Sequence, residues 1–160
     1  MNCAGFLNRK EITKKTKLAI YKSTFIPTLT YSSESWVLSD KLTSKLQSAE
    51  MRYLRKVEGA TRRDKIRRTR LEQTPLVETV HKNQLRWFGH LTRMDENRVP
   101  KKAFLTKAGD IRPRGRPRKT WKEEIEERLR KGNLTLRKAE ELAKNRKEWR
   151  VTYHNLYTAR

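Results

Sequence analysis

Between Thr106 and Arg118 the chain carries one large apolar residue, Ile111, among two glycines, two prolines and a run of basic side chains. A segment this poor in apolar surface cannot bury enough to offset the entropy of ordering it. Any packed core must therefore end before it and begin again after it. That constraint predicts two packing units joined by an extended basic linker. The same segment holds the most conspicuous motif of the sequence, "RPRGRPRKTW" at 112–121.

On both sides of the linker the apolar residues recur at helical spacing. Leu18, Tyr21, Phe25, Ile26 and Leu29 sit near that spacing, and Pro27 predicts a kink or break at Ile26. The stretch from Tyr31 to Trp36 reads as a further turn or irregular backbone. Ser39 is a natural N-cap, with Asp40 in the first turn. Leu42, Leu46, Ala49, Tyr53 and Val57 then form one apolar stripe, and Gly59 suits a left-handed stop. Thr74 and Pro75 open the next helix, whose apolar face is Leu76, Val77, Val80, Trp87, Phe88, Leu91 and Met94. His90 beside this face reads as a hydrogen-bonded structural residue. Pro100 ends that run, and Phe104 with Leu105 anchors one short turn. Past the linker, Thr120 and Glu123 make a capping box. Trp121, Ile125 and Leu129 line one side of that helix, and Gly132 ends it. A second helix from Thr135 carries Leu136, Ala139, Leu142, Ala143, Trp149 and Tyr153. Trp121 and Trp149 are the expected shared core of this hairpin. No alternating strand pattern is long enough to compete.

The predicted fold is all-α: a small helical bundle joined by the basic linker to a C-terminal helical hairpin. Its divisions are a partial N-terminal segment at 1–37, a helical region at 38–105, the linker at 106–119 and the hairpin at 120–157.

Charge narrows the partners. The 160 residues hold 40 Lys plus Arg against 18 Asp plus Glu, a formal net charge of +22. Such an excess repels itself in a compact state and attracts polyanions, so nucleic acid, DNA or RNA, is the expected partner. "TRRDKIRRTR" at 61–70 has one apolar residue, Ile66, among six basic ones. It reads either as a solvated face or as a phosphate-contacting surface, with Arg62, Arg63, Arg67 and Arg68 as the contacts. In the linker, "PRGRP" matches the core of the AT-hook. Gly115 would let the backbone approach a narrow minor groove, and Arg114 and Arg116 would extend along its floor. Arg112, Arg118 and Lys119 would then meet phosphates. The competing reading is an extended tether whose charge keeps it solvated.

Catalytic constellations are missing from the sequence. The four aspartates, Asp40, Asp64, Asp95 and Asp110, are far apart, whereas two-metal phosphoryl chemistry needs carboxylates converging on ions about 4 Å apart. The acidic run "EEIEE" at 123–127 reads as a solvated, dipole-favoured helix start. One cysteine, Cys3, and three histidines offer neither a zinc site nor a nucleophile–base pair. The expectation is no catalytic residue, no metal, no cofactor and no small-molecule substrate. No apolar stretch approaches the ~20 residues of a membrane span. A nuclear location follows, or a cytoplasmic one within a ribonucleoprotein.

Five phrases in order, "KTKLAIYKSTFIPTLTYSSESW", "AEMRYLRKVEG", "QLRWFGHLTRMDENRVPKKAF", "RPRGRPRKTW" and "LAKNRKEWR", carry a resemblance. Together the chain resembles the C-terminal, thumb and post-thumb, region of LINE-type (non-LTR) retrotransposon reverse transcriptases. The likeness implies an upstream polymerase palm with Tyr-x-Asp-Asp carboxylates and Mg2+, preceded by an endonuclease domain. It implies that these helices steer template RNA, primer and target DNA without performing the chemistry. Residues 14–34 and the helix around Tyr53 would lie near the thumb. Trp87, Phe88, Gly89 and His90 would be the post-thumb signature. Arg114 to Lys119 would be the basic connector, and Arg146, Trp149 and Arg150 the closing helix. Ser32 stands where the family carries glycine, which predicts strain if that position is left-handed. Asn145 stands where the family carries aspartate, and "RTRLEQTPL" is a few residues short. These departures imply a fragment or decaying copy of a longer frame. A protein-interaction module, with the Leu76–Met94 helix docking on a missing palm or a partner chain, is the alternative.

Overall fold

A computed structural model describes Arg9, residues 11–64, 74–106, Gly115 and 119–158, with 157 and 158 as backbone only. Among these residues the chain is all-helical. The helices are α1 (Lys14–Ile20), α2 (Ile26–Leu29), α3 (Asp40–Val57), α4 (Leu76–Arg93), α5 (Val99–Leu105), α6 (Trp121–Lys131), α7 (Leu136–Lys144) and α8 (Arg146–Thr158). A π-helical turn, Tyr21–Phe25, joins α1 to α2, and a 3-10 turn covers Ser33–Ser35.

Pro27 does not break the first helix. The π turn widens the register, so the Ile26 N–H reaches the Tyr21 carbonyl, and Pro27 falls in the first turn of α2, where a missing N–H does little harm. The chain stays helical across a residue expected to kink or break it. Pro100 also sits in the first turn of a helix, α5, instead of closing one.

The chain forms two compact units, residues 1–31 with 39–79, and residues 32–38 with 80–160. The division therefore falls inside α4, and the helices before and after 106–119 share a unit. A stretch poor in apolar residues does not say whether the helices flanking it pack on each other.

In the first unit the core is aromatic. Tyr21, Tyr53, Leu54 and Val57 are buried, with Leu18, Phe25, Ile26 and Met51 against them. The Phe25 and Tyr53 rings lie 4.4 Å apart, and Tyr21 lies 5.3 Å from Tyr53. The Tyr21 hydroxyl donates to Glu50 at 2.7 Å, and the same carboxylate accepts the Leu76 N–H at 3.0 Å. Glu50 thus caps α4 from a neighbouring helix, beside the Thr74–Pro75 start seen in the sequence. Ser39 caps α3, and Gly59 takes φ +66 beyond its end. The apolar stripe of α3 is buried only in its second half: Leu42 stays 45 % exposed.

The second unit is built on Leu85, Phe88, Ile125, Leu129, Ala139, Ala143, Trp149 and Tyr153. Rings follow one another from Trp121 through Phe104, Phe88 and Trp149 to Tyr153, at centroid distances of 5.5–6.1 Å. The two tryptophans share this core through Phe88 and Phe104. The expected hairpin is three helices, because Asn145 is extended between α7 and α8. Its side-chain oxygen accepts the Lys147 N–H at 3.0 Å and so starts α8.

Residues 32–38 have little regular structure, so their buried backbone groups need other partners. Side chains supply them. Trp121 Nε1 donates to the Glu34 carbonyl at 2.8 Å, Gln84 Nε2 to the Trp36 carbonyl at 2.7 Å, and Glu124 accepts the Leu38 N–H at 2.7 Å. Glu124 is 2 % exposed and also pairs with Arg128. The acidic run of α6 is therefore not wholly solvated. Burial pushes the Glu124 carboxyl above its ordinary range, and the Leu38 N–H pulls it back.

Ser32 has φ 57 and ψ 18, the left-handed conformation that glycine adopts without cost. Ser32→Gly is expected to stabilise the fold by about 0.5–1 kcal/mol, seen as a rise of roughly 1–4 °C in the thermal midpoint. An unchanged or lower midpoint would show that the serine is not strained.

Candidate nucleic-acid interface

Among the described residues, exposed cations line an open groove in each of the two units. On α3, Lys41, Lys45 and Arg52 recur at helical spacing with Ser44, Ser48 and Ala49 between them. These six residues line an open groove that contains no carboxylate. The small side chains leave the backbone surface low, so a long anion can approach while the flanking cations reach its charges. Lys41 and Lys45 are four apart on one helix, where like charges repel by roughly 0.2–0.5 kcal/mol. A phosphate between them would remove that cost.

In the second unit, one face of α4 presents Asn83, Arg86, Trp87, His90 and Arg93, at steps of three and four residues. Arg146, the first residue of α8, and Glu34 complete a cleft of about 460 Å³. The Trp87 and His90 rings have centroids 5.2 Å apart. Arg93 Nη1 donates to the Ala143 carbonyl at 2.6 Å, at the C-terminal end of α7. Burial, and the nearby Arg146 guanidinium, push the Arg93 pKa below its ordinary value. The cleft holds three guanidiniums against one carboxylate. His90, read from the sequence as a hydrogen-bonded structural residue beside the apolar face, is exposed here with its ring against Trp87.

The sequence-predicted contacts fare unequally. Arg62 and Arg63 are exposed in a turn held by Asp64, which accepts from the Thr61 N–H at 2.6 Å and its hydroxyl at 2.8 Å. Those two bonds lower the Asp64 pKa. Lys119 is engaged with Glu127 at 2.5 Å. Hydrogen bonds from Lys119 and Lys131 hold the Glu127 carboxyl down to about 2. Gly115 is exposed with φ +99, a value that side chains rarely adopt. Arg67, Arg68, Arg112, Arg114, Arg116 and Arg118 lie outside the described residues.

Lys41, Lys45 and Arg52 escaped the sequence reading, as did Arg86 and Arg93. They are scattered singly along helices and form no run. Plotting the polar face of α3 would have revealed the first set. The cleft needs Arg146 from a distant helix and had no local signal. Among the described residues no group of three His, Cys, Asp or Glu side chains is placed to hold a metal ion. No described helix is long and apolar enough to cross a membrane. No protein-family model, curated protein or solved structure matches the chain.

Proposed function

We propose that the chain is a nucleic-acid-binding segment with no catalytic chemistry of its own, of the kind that follows the polymerase palm in LINE-type reverse transcriptases. The observation that supports this reading is the α3 groove: three exposed cations along one helix, with no carboxylate among its lining residues. Added to a net charge of +22, it is a surface matched to a phosphate backbone. The basic linker adds further contacts, with Arg114 and Arg116 in a minor groove or on phosphates.

Such binding is driven by counterion release, so it needs no magnesium and persists under chelation. Affinity for duplex DNA is expected to fall steeply with salt, by roughly 0.9 log units per log unit of salt for each phosphate neutralised. The variant combining Lys41→Gln, Lys45→Gln and Arg52→Gln is expected to lower that slope by about 2–3, measured by anisotropy across a salt series. All three side chains are exposed, so the fold is unaffected. A slope unchanged from wild type would remove the groove from the interface, and a flat wild-type response would remove the function.

The interaction-module alternative needs an uncovered apolar face on α4. Leu76, Val77, Val80, Leu85, Phe88 and Leu91 are buried within the chain, whereas Trp87 on the same helix and Met94 just past its end stay partly exposed.

A further inference from the structure

The cleft between α4 and Arg146 has features that the fold does not need. Arg93 has a structural task, because its guanidinium covers a carbonyl at the end of α7. Arg86 and Arg146 have no such task among the contacts of this cleft, and both are exposed. Trp87 is only half-buried, while Phe88, the next residue, is fully buried in the core. An indole left part-open beside three guanidiniums is a costly surface to leave empty. Its ring is apolar, and the cations around it repel one another.

Those two chemistries occur together in one kind of ligand. A nucleotide offers a flat base for the indole and a phosphate for the guanidiniums. A volume of about 460 Å³ lies within the range of small-ligand pockets and fits a single nucleotide unit. The base must be unpaired, since a base stacked within a duplex has no free face for a side chain. We infer that this cleft binds one unpaired nucleotide of a single-stranded nucleic acid, its base against Trp87 and His90 and its phosphate between Arg93 and Arg146.

This rests on the nucleic-acid reading but adds a preference to it. The α3 groove meets a backbone and is indifferent to strandedness. The cleft accepts only a strand with a splayed-out base. Glu34, which also lines the cleft, disfavours a second phosphate there and leaves the base edge an acceptor to meet. Asn83, which donates to Ser33 Oγ at 3.2 Å, lines it too.

The test uses the full chain and two labelled probes of about ten nucleotides, one single strand without self-complementarity and the matching duplex. Trp87→Leu and, separately, the exposed Arg146→Gln are compared with wild type by anisotropy, with thermal melts to verify folding. The expected result is roughly tenfold weaker binding of the single strand by each variant, with duplex binding within about twofold of wild type. Wild-type affinity for the single strand in both folded variants overturns the cleft and leaves the nucleic-acid reading intact. Equal losses on single strand and duplex also overturn it, since that pattern reports bulk charge. If wild type binds neither probe, the broader reading fails first. Should Trp87→Leu not fold, Arg146→Gln alone distinguishes the same outcomes.

Discussion

Glu124→Ala is expected to destabilise the fold by about 3–5 kcal/mol, the range for removing one partner of a buried ion pair. The substitution removes the pairing of Glu124 with Arg128 and also leaves the Leu38 N–H without its acceptor. These two losses can be separated. Replacing Glu124 by leucine and Arg128 by methionine together removes both charges of the pair, and such swaps are often close to neutral. The Leu38 N–H stays unmet in that double variant, at about 1–3 kcal/mol. Urea denaturation of the single and double variants is expected to show partial recovery. Full recovery would mean that the Leu38 bond contributes nothing. No recovery would mean that the ion pair is not what the alanine variant loses.

The same residue shows where sequence reading stops. Thr120 with Glu123, Ser39 with the first turn of α3, and Gly59 at its end obey rules that span four residues, and all three were legible. Ser32 takes a left-handed conformation that no local rule predicts for serine. Glu50 and Glu124 sit on helices among polar neighbours, and by local rules they belong in water. Their burial depends on Tyr21 and Leu76 in one case and on Leu38 and Arg128 in the other, up to 86 residues away in sequence. Leu42 is the converse. Its spacing places it on the apolar stripe of α3, yet the aromatic cluster of Tyr21, Phe25 and Tyr53 serves only the second half of that helix.

The candidate interface divides in the same way. A run such as "RPRGRPRK" is visible because its charges are adjacent in the chain. The α3 groove and the α4 cleft are each assembled from residues three, four or many positions apart, and only folding brings them together. Visibility in sequence therefore ranks basic segments by contiguity, whereas an anion responds to their spacing on the surface.

Gly89 and Trp149 supply the other large effect, and their coupling reverses a sign. Trp149 is 2 % exposed, packs on Phe88 at 5.5 Å and donates its indole N–H to the Leu85 carbonyl at 2.8 Å. Trp149→Ala is expected to cost about 3–5 kcal/mol through the cavity it opens. A Cβ added at Gly89 would collide with the pyrrole side of that indole, so Gly89→Ala is expected to cost about 1–3 kcal/mol in the wild-type background. With alanine at 149 the obstruction is gone. Gly89 then lies in the middle of a helix, where alanine is favoured over glycine by about 1 kcal/mol. Gly89→Ala should therefore destabilise the wild type and stabilise the Trp149→Ala variant, as read from urea midpoints across the four proteins. A glycine substitution with the same cost in both backgrounds would mean that helix α4 does not need the small residue to admit the tryptophan. The close approach would then have to be accommodated by a shift of α8.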